Sequence, residues 1–288
     1  MRLFLLTSVT MIAFAANSIL NRLAVDSGAI DPASFAILRI LSGAGVLSAL
    51  VLLRGRRVPI FAPRRLIGAG SLTLYMIGFS WSYLTLEAGL GALVLFGVVQ
   101  LSIFAIASLA GTPPLWRQLA GAGIAFAGLV WVLWPSGPVV VDQLGLLLMV
   151  LAGIGWAVYT LEGRSEADAL AGTAANFCVA SPLVAAGALV IPVATTITAP
   201  GVALAVLSGA VTSGMGYALW YSLVPRYAPS LVAIIQLAVP VIALAAGIML
   251  LDEQASLRLV AGTLLVLGGI ALAVSKSRAA RRQRAASS

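Results

Sequence analysis

Apolar residues run along this chain in ten stretches, each close to the roughly 20 residues that span a bilayer as a helix. They cover 3–22, 31–53, 66–86, 90–110, 116–134, 143–162, 171–193, 201–222, 229–250 and 257–275. The breaks between them carry glycine, proline or charge: Asp26 to Pro32, Arg54 to Arg65, Glu87 to Gly91, Gly111 to Pro114, Pro135 to Gln143, Gly163 to Asp168, Pro192 to Gly201, Pro225 to Pro229 and Asp252 to Ser256. Connections this short make consecutive helices antiparallel neighbours. The pattern predicts an all-α integral membrane protein of ten transmembrane helices, with no extramembrane domain and a disordered basic tail over 276–288. The opening stretch also has the form of a signal peptide, with Ala13-Phe14-Ala15 as a small-x-small site. The internal repeat described below needs it as the first helix instead.

Composition agrees. Hydrophobic residues make up 61% and charged residues 9% of 288, too little charge to cover a soluble surface. The net charge of +8 does not mark a nucleic-acid binder, because most basic residues cluster beside apolar spans, as membrane-orienting charge does. With the N-terminus in the cytoplasm, Arg2, Arg54, Arg56, Arg57, Arg64, Arg65, Arg117, Arg164, Arg226 and five tail residues all fall inside. Arg22 and Arg258 fall outside, with Asp26, Asp31, Glu87, Asp142, Asp252 and Glu253. The bias predicts that both termini are cytoplasmic. Arginine-rich usage with a single lysine suggests a bacterial source and hence an inner membrane. The lone Cys178 reads as packing, since one cysteine builds no disulfide framework.

The two halves resemble each other. Gly78-Phe-Ser-Trp-Ser-Tyr-Leu84 is echoed by Gly216-Tyr-Ala-Leu-Trp-Tyr-Ser-Leu223, Gly97-Val-Val-Gln-Leu101 by Ala233-Ile-Ile-Gln-Leu237, and Leu119-Ala-Gly121 by Val260-Ala-Gly262, in the same order. Residues 1–137 and 138–275 therefore read as two five-helix repeats. Five is odd, so the second copy enters the membrane inverted, the plan of many secondary transporters with a site near the midplane between halves.

Several absences narrow the chemistry. The chain has no histidine, no phosphate-binding glycine loop and no metal-ligand spacing, so no cofactor is expected. Every Asp and Glu lies in a loop or at a span's end, so no base and nucleophile stand together for hydrolysis and no deep carboxylate marks ion coupling. Gradient-driven, facilitated transport is the expectation.

What remains is a short set of intramembrane polar and aromatic residues. Arg39 lies well inside the second span, where a cation costs about 2.5–3.5 kcal/mol or more unless it meets a wet cavity or snorkels. It could pair with a substrate carboxylate, or with helix-end carbonyls, Glu87 or headgroups. Gln100 and Gln236 occupy matched places in the two repeats, and Pro240 frees the carbonyl of Gln236 from its helical donor. Together they suit an ammonium or hydroxyl group, or serve as a kink with interhelical glue. Asn17 is a third intramembrane amide. Aromatics gather in the third, sixth and eighth spans: Tyr75, Phe79, Trp81, Tyr83, Trp156, Tyr159, Tyr217, Trp220 and Tyr221. Trp156 and Tyr159 are cavity candidates, whereas Trp81, Tyr83, Trp220 and Tyr221 fall near span ends, where an interfacial belt would put them. The small residues Gly121, Gly123, Ala125 and Gly128 allow close helix packing, conceivably between two copies of the chain.

The order and residues of these spans resemble the drug/metabolite transporter superfamily, EamA type. Pro32-Ala-Ser-Phe-Ala-Ile-Leu-Arg39 matches the family's P-x-x-F-A-x-x-R pattern, joined by Tyr83-Leu-Thr-Leu-Glu-Ala and by Pro240 to Glu253 (PVIALAAGIMLLDE). The first repeat departs from the pattern, with Phe104 or Val99 where proline is common and Gly111-Thr112 where an acid often sits. Within the superfamily the sequence is similar to YddG-type amino-acid exporters. That similarity implies export of aromatic and other neutral amino acids through a central cavity, with the lipid bilayer as surroundings and a monomer or weak homodimer as assembly. A channel, a lipid-handling protein and a carrier of another metabolite or drug are the competing readings. The substrate-binding set expected from residues and resemblance together is Asn17, Arg39, Phe79, Tyr83, Gln100, Trp156, Tyr159, Tyr217, Gln236 and Pro240.

Overall fold

The computed structural model describes residues 2–109, 115–133, 142–164, 166–188, 195–227, 235–236, 238–254 and 256–274. The expected basic tail, the boundary between the two halves, the break Gly111 to Pro114 and all but Asp142 and Gln143 of the break Pro135 to Gln143 lie outside them. The described chain is helical: α1 (Arg2–Asp26), α2 (Pro32–Leu53), α3 (Arg65–Ser82), α4 (Ala88–Leu109), α5 (Trp116–Leu133), α6 (Gln143–Gly163), α7 (Ala169–Ala188), α8 (Ala199–Leu207), α9 (Gly216–Leu223), α10 (Ala238–Leu250) and α11 (Leu257–Val274). A π-helical segment, Ser208–Met215, joins α8 to α9 without a break. Six helical stretches among the described residues are long and apolar enough to cross a membrane, with shorter apolar helices beside them. The protein is an integral membrane protein.

Its amphipathicity is turned inside out. Along α1, Thr10, Phe14, Asn17 and Asn21 share one buried face, while Phe4, Leu5, Val9 and Ile12 point outward, as the i, i+4, i+7 spacing dictates. Leu53, Leu109, Trp116, Leu144 and Leu257 are likewise exposed. An outer surface of this kind is stable only against lipid.

Helix starts follow from local chemistry. Asp31 accepts the Ser34 N–H at 2.9 Å and precedes Pro32 at the first position of α2. Asp142 does the same for α6 through Gly145 N–H at 2.6 Å. The cap of α4 comes from far along the chain: Glu253, just past α10, accepts the N–H groups of Ala88 at 2.5 Å and Gly89 at 3.2 Å. These N–H groups have no partner within their own helix.

The helices pack as α3 on α6, α2 on α7, α5 on α11 and α4 on α10, with α1 against the continuous α8–π–α9 rod. The α5–α11 contact is made backbone to backbone. A Cβ at Gly269 would meet Gly121 O and Ala125 N, and one at Gly128 would meet Val266 N and Gly262 O. Gly121, Ala125 and Gly128 of the small-residue row are used in this contact, while Gly123 has open space beside it.

Both ends of the bundle are tied across the sequence. At one end the α1–α2 turn bridges to the segment before α8 (Ile30 with Ile197), and Asp31 N–H donates to Thr196 O at 2.9 Å. At the other end Arg56 pairs with Asp168 at 2.6 Å, Arg64 with Glu162 at 3.0 Å and Arg65 with Glu166 at 2.6 Å.

Candidate functional site

Between the helices lies a small, narrow cavity lined by Phe14, Asn17, Ser18, Tyr75, Phe79, Leu95, Phe96, Trp156 and Tyr217. These residues come from α1, α3, α4, α6 and α9. The cavity contains ≈ 250 Å³ of empty space, of which only ≈ 10 Å³ admits the centre of a water molecule. That is about enough for one water, so the walls must part before any solute enters. Aromatic edges do the filling. Phe14 stands edge-on to Trp156 at 5.5 Å and to Tyr217 at 5.6 Å, and Trp156 lies 4.7 Å from Tyr217.

Arg39 sits behind this wall, fully buried. Its Nη2 donates to the Tyr75 hydroxyl at 2.9 Å and to the Tyr217 hydroxyl at 3.0 Å, and its Nε donates to Ser213 Oγ at 2.9 Å. The guanidinium also lies over the rings of Phe79 at 4.8 Å and Tyr75 at 5.3 Å, an attraction that grows when the pair is desolvated. Nη1 has no hydrogen-bond partner among the described residues. The alternatives in which Arg39 reaches headgroups or pairs with Glu87 are overturned: tyrosine hydroxyls and ring faces hold it inside.

Asn17 locks α1 to the π-helical segment. Its Oδ1 accepts from Ser208 at 2.9 Å, Thr212 at 2.5 Å and Ser213 at 3.1 Å. In an α-helix Ser208 and Ser213 would face different ways; i→i+5 winding brings residues five apart into line. The π geometry thus lets three hydroxyls converge on one amide oxygen. On its α2 side the same segment also packs closely: Gly209 lies against the Arg39 carbonyl and Ser42 Oγ, where any Cβ would collide.

Beyond the cavity the rings continue as a column. Tyr75 packs on Phe79 at 5.1 Å, and Phe79 on Tyr83 at 4.8 Å. In the other direction Trp156 meets Tyr159 at 5.7 Å, and Tyr159 meets Tyr221 at 5.5 Å. Tyr83 ends the column where Arg22 donates to its carbonyl. Tyr221 ends it at a crevice lined by Arg54, Arg56, Glu166, Asp168, Ala218 and Ser222, with ≈ 510 Å³ open to water centres.

Of the ten residues the sequence singled out, Asn17, Phe79, Trp156 and Tyr217 line the cavity and Arg39 stands behind it. Tyr83 and Tyr159 flank it in the column, Tyr83 facing Ser18 and Tyr159 facing Asn176 and Thr173. Gln100 and Gln236 are buried to 1% exposure with neither amide atom partnered among the described residues, and Pro240 is buried in the first turn of α10. None of these three lines the cavity. Trp81, Tyr83, Trp220 and Tyr221 are buried, so the belt reading is corrected: they pack inward between helices. Phe14, Ser18, Leu95 and Phe96 were missed, and Tyr75, named among the gathered aromatics, was left out of the binding set. Phe14 precedes Asn17 by three residues and Tyr75 precedes Phe79 by four, so i, i+3 and i, i+4 spacing from the expected lining residues points to two of the five.

Outside the membrane-spanning segments, two carboxyls are shifted. Burial and the neighbouring Glu253 push Glu87 above the usual carboxylate range. Asp168 is held below it: burial acts upward but is outweighed by the Ala171 and Leu170 N–H groups and by Arg56.

Residues 143–275 match the model of the EamA-like transporter family. An uncharacterized protein from Pseudomonas aeruginosa is 43% identical over 282 residues, covering 97% of this chain and 98% of that relative. An uncharacterized transporter from Archaeoglobus fulgidus is 26% identical over 265 residues, 86% of this chain and 90% of its own. A solved crystal structure shares the fold, with a TM-score of 0.64 at 24% identity over 92% of this chain and 97% of that one.

Proposed function

The chain belongs to the EamA-like transporter family of the drug/metabolite transporter superfamily, and from that premise we propose that it is a secondary carrier exporting small metabolites across a bacterial inner membrane, aromatic and other neutral amino acids first among them. It works by alternating access, with ten spans in two inverted five-helix repeats and both termini in the cytoplasm.

The observation that carries this reading is the narrow cavity between the helices, walled by α1, α3, α4, α6 and α9 and polar at only a few points, as small-molecule sites are. The helix pairing supports the inverted repeat. If the first five spans map onto the last five, α3 against α6 requires α8–α9 against α1 as its mate. Under the same mapping α2–α7, α4–α10 and α5–α11 are each their own mates, and all these contacts occur. The excess of arginine at the Arg56 end supports placing that end in the cytoplasm. The crevice there, stopped by Tyr221, then reads as the entry route.

Flux of labelled tryptophan, leucine, methionine and threonine into proteoliposomes tests the proposal. Saturable uptake with counterflow is expected. No flux above protein-free vesicles, or flux that never saturates, rejects the carrier.

A further inference from the structure

Among the described residues, the polar atoms left free on Trp156, in the cavity's lining, and on Arg39, behind it, are donors, while the flanking Tyr83 and Tyr159 keep unpartnered hydroxyls. Asn17 Oδ1 is saturated by three hydroxyls, and the 2.5 Å contact from Thr212 fits O–H···O rather than N–H···O, which leaves the amide's N–H groups as its free side. The Tyr217 hydroxyl donates to Tyr75 at 3.1 Å, and Tyr75 also accepts from Arg39. The proton left over is that of Tyr75, a cavity-lining residue. Trp156 Nε1 and Arg39 Nη1 are buried donors without partners. Ser18 is the one lining group able to turn either way.

Charge points the same way. Arg39 is buried among hydroxyls and rings, and no carboxylate hydrogen-bonds or pairs with it. The nine Asp and Glu residues of the chain all lie at helix ends or in loops, and three of them are engaged elsewhere: Glu253 on α4's N–H groups, Glu166 on Arg65 and Asp168 on Arg56. A buried cation without a counter-charge is costly, and an anionic solute supplies what the protein omits.

We infer that the site selects organic monocarboxylates with an apolar or aromatic body: the carboxylate is the obligatory element, recognised by Arg39 together with the Trp156 and Tyr75 donors, and the substrate's amino group is dispensable. This rests on the carrier reading and narrows its substrate. Amino acids then enter as carboxylates, their des-amino analogues compete with them, and the matching amines are refused.

Calorimetric binding to the full-length protein in detergent tests this with two matched series. The first is tryptophan, indole-3-propionate and tryptamine; the second is leucine, 4-methylpentanoate and isoamylamine. The two carboxylates of at least one series should bind within roughly tenfold of each other, and the amine roughly tenfold to a hundredfold more weakly, the range expected for loss of a charge-assisted hydrogen bond. Arg39→Gln should abolish that discrimination and Arg39→Lys should keep part of it. Where Arg39→Gln does not fold, the wild-type ranking decides alone. An amine binding as tightly as its carboxylate, no carboxylate binding in either series, or a folded Arg39→Gln protein with unchanged ranking overturns the inference. Saturable amino-acid flux alongside a failed ranking sinks this inference and leaves the carrier standing. Correct ranking without flux does the reverse.

Discussion

The Tyr221 hydroxyl donates to the carbonyl oxygen of Tyr159 at 3.3 Å, and the two rings meet edge-on at 5.5 Å. Tyr221 faces the open crevice and Tyr159 adjoins Trp156, so this pair separates water from the cavity. The aromatic contact contributes about 0.5–1.5 kcal/mol and the hydrogen bond about 1 kcal/mol. Tyr221→Ala should therefore raise the open population roughly tenfold or more. Modification of a cysteine placed at Ser18, in a Cys178→Ser background, by a small membrane-permeant thiol reagent reads this directly. An unchanged rate puts the barrier somewhere other than these two rings.

The second prediction concerns the opposite end. Glu253 caps α4 through two backbone N–H groups, joining the start of one helix to the segment after another far along the chain. Removing a side-chain cap costs about 0.5–2 kcal/mol. Glu253→Ala should lower the unfolding temperature in detergent, and Glu253→Gln, which keeps an acceptor, should lower it less. Equal melting of all three proteins would show that the cap carries no stability.

Two carboxyls should give the protein opposite pH signatures. Asp168 has its folded pKa lowered, so its stabilisation is present above the ordinary carboxylate value and is lost as pH falls through the lowered one. Asp168→Asn should melt below wild type near neutrality and converge with it in acid.

Glu87 has its folded pKa raised. The folded protein pays for the charged form, a penalty absent below the ordinary carboxylate value and complete above the raised one. Glu87→Gln should match wild type in acid and melt above it near neutrality. Melting profiles from roughly pH 3 to 8 separate the two cases, and parallel profiles for either variant contradict its assignment.

How much of this was legible in the chain depends on the kind of residue. The described helices fall within a few residues of the apolar stretches, because bilayer length and turn chemistry are one-dimensional signals; the exception is the ninth stretch, whose start at 229–234 lies outside the described residues. Arg39 and Asn17 stood out because polar groups are rare in apolar spans. Trp81 and Trp220 were misjudged because position near a span's end fixes depth, whereas the direction a side chain faces depends on which helices pack beside it. The π-helical segment could not be read from SGAVTSGM, since its extra residue is held by hydroxyls converging on a distant Asn17. Leu95 and Phe96 carry no mark separating them from other apolar residues. Only the cavity does that.

The last prediction tests whether close backbone approach holds the site. A Cβ at Gly209 would run into the Arg39 carbonyl oxygen and Ser42 Oγ, and one at Gly43 would lie 2.9 Å from Gly209 O. The carbonyls are fixed by their own helices, so no rotamer change relieves the clash; α2 and the π-helical segment must separate. Overpacking of this kind costs about 1–3 kcal/mol. The shift would also draw Ser213 away from both Arg39 Nε and Asn17 Oδ1. Gly209→Ala should therefore lower both the unfolding temperature and solute affinity. Gly45, on the same helix α2, has nothing within 4 Å of an added Cβ, and Gly45→Ala should be neutral or stabilising by about 0.4–1 kcal/mol through the unfolded chain. If both variants melt and bind alike, helix-interior glycine propensity sets the effect and the contact at Arg39 does not.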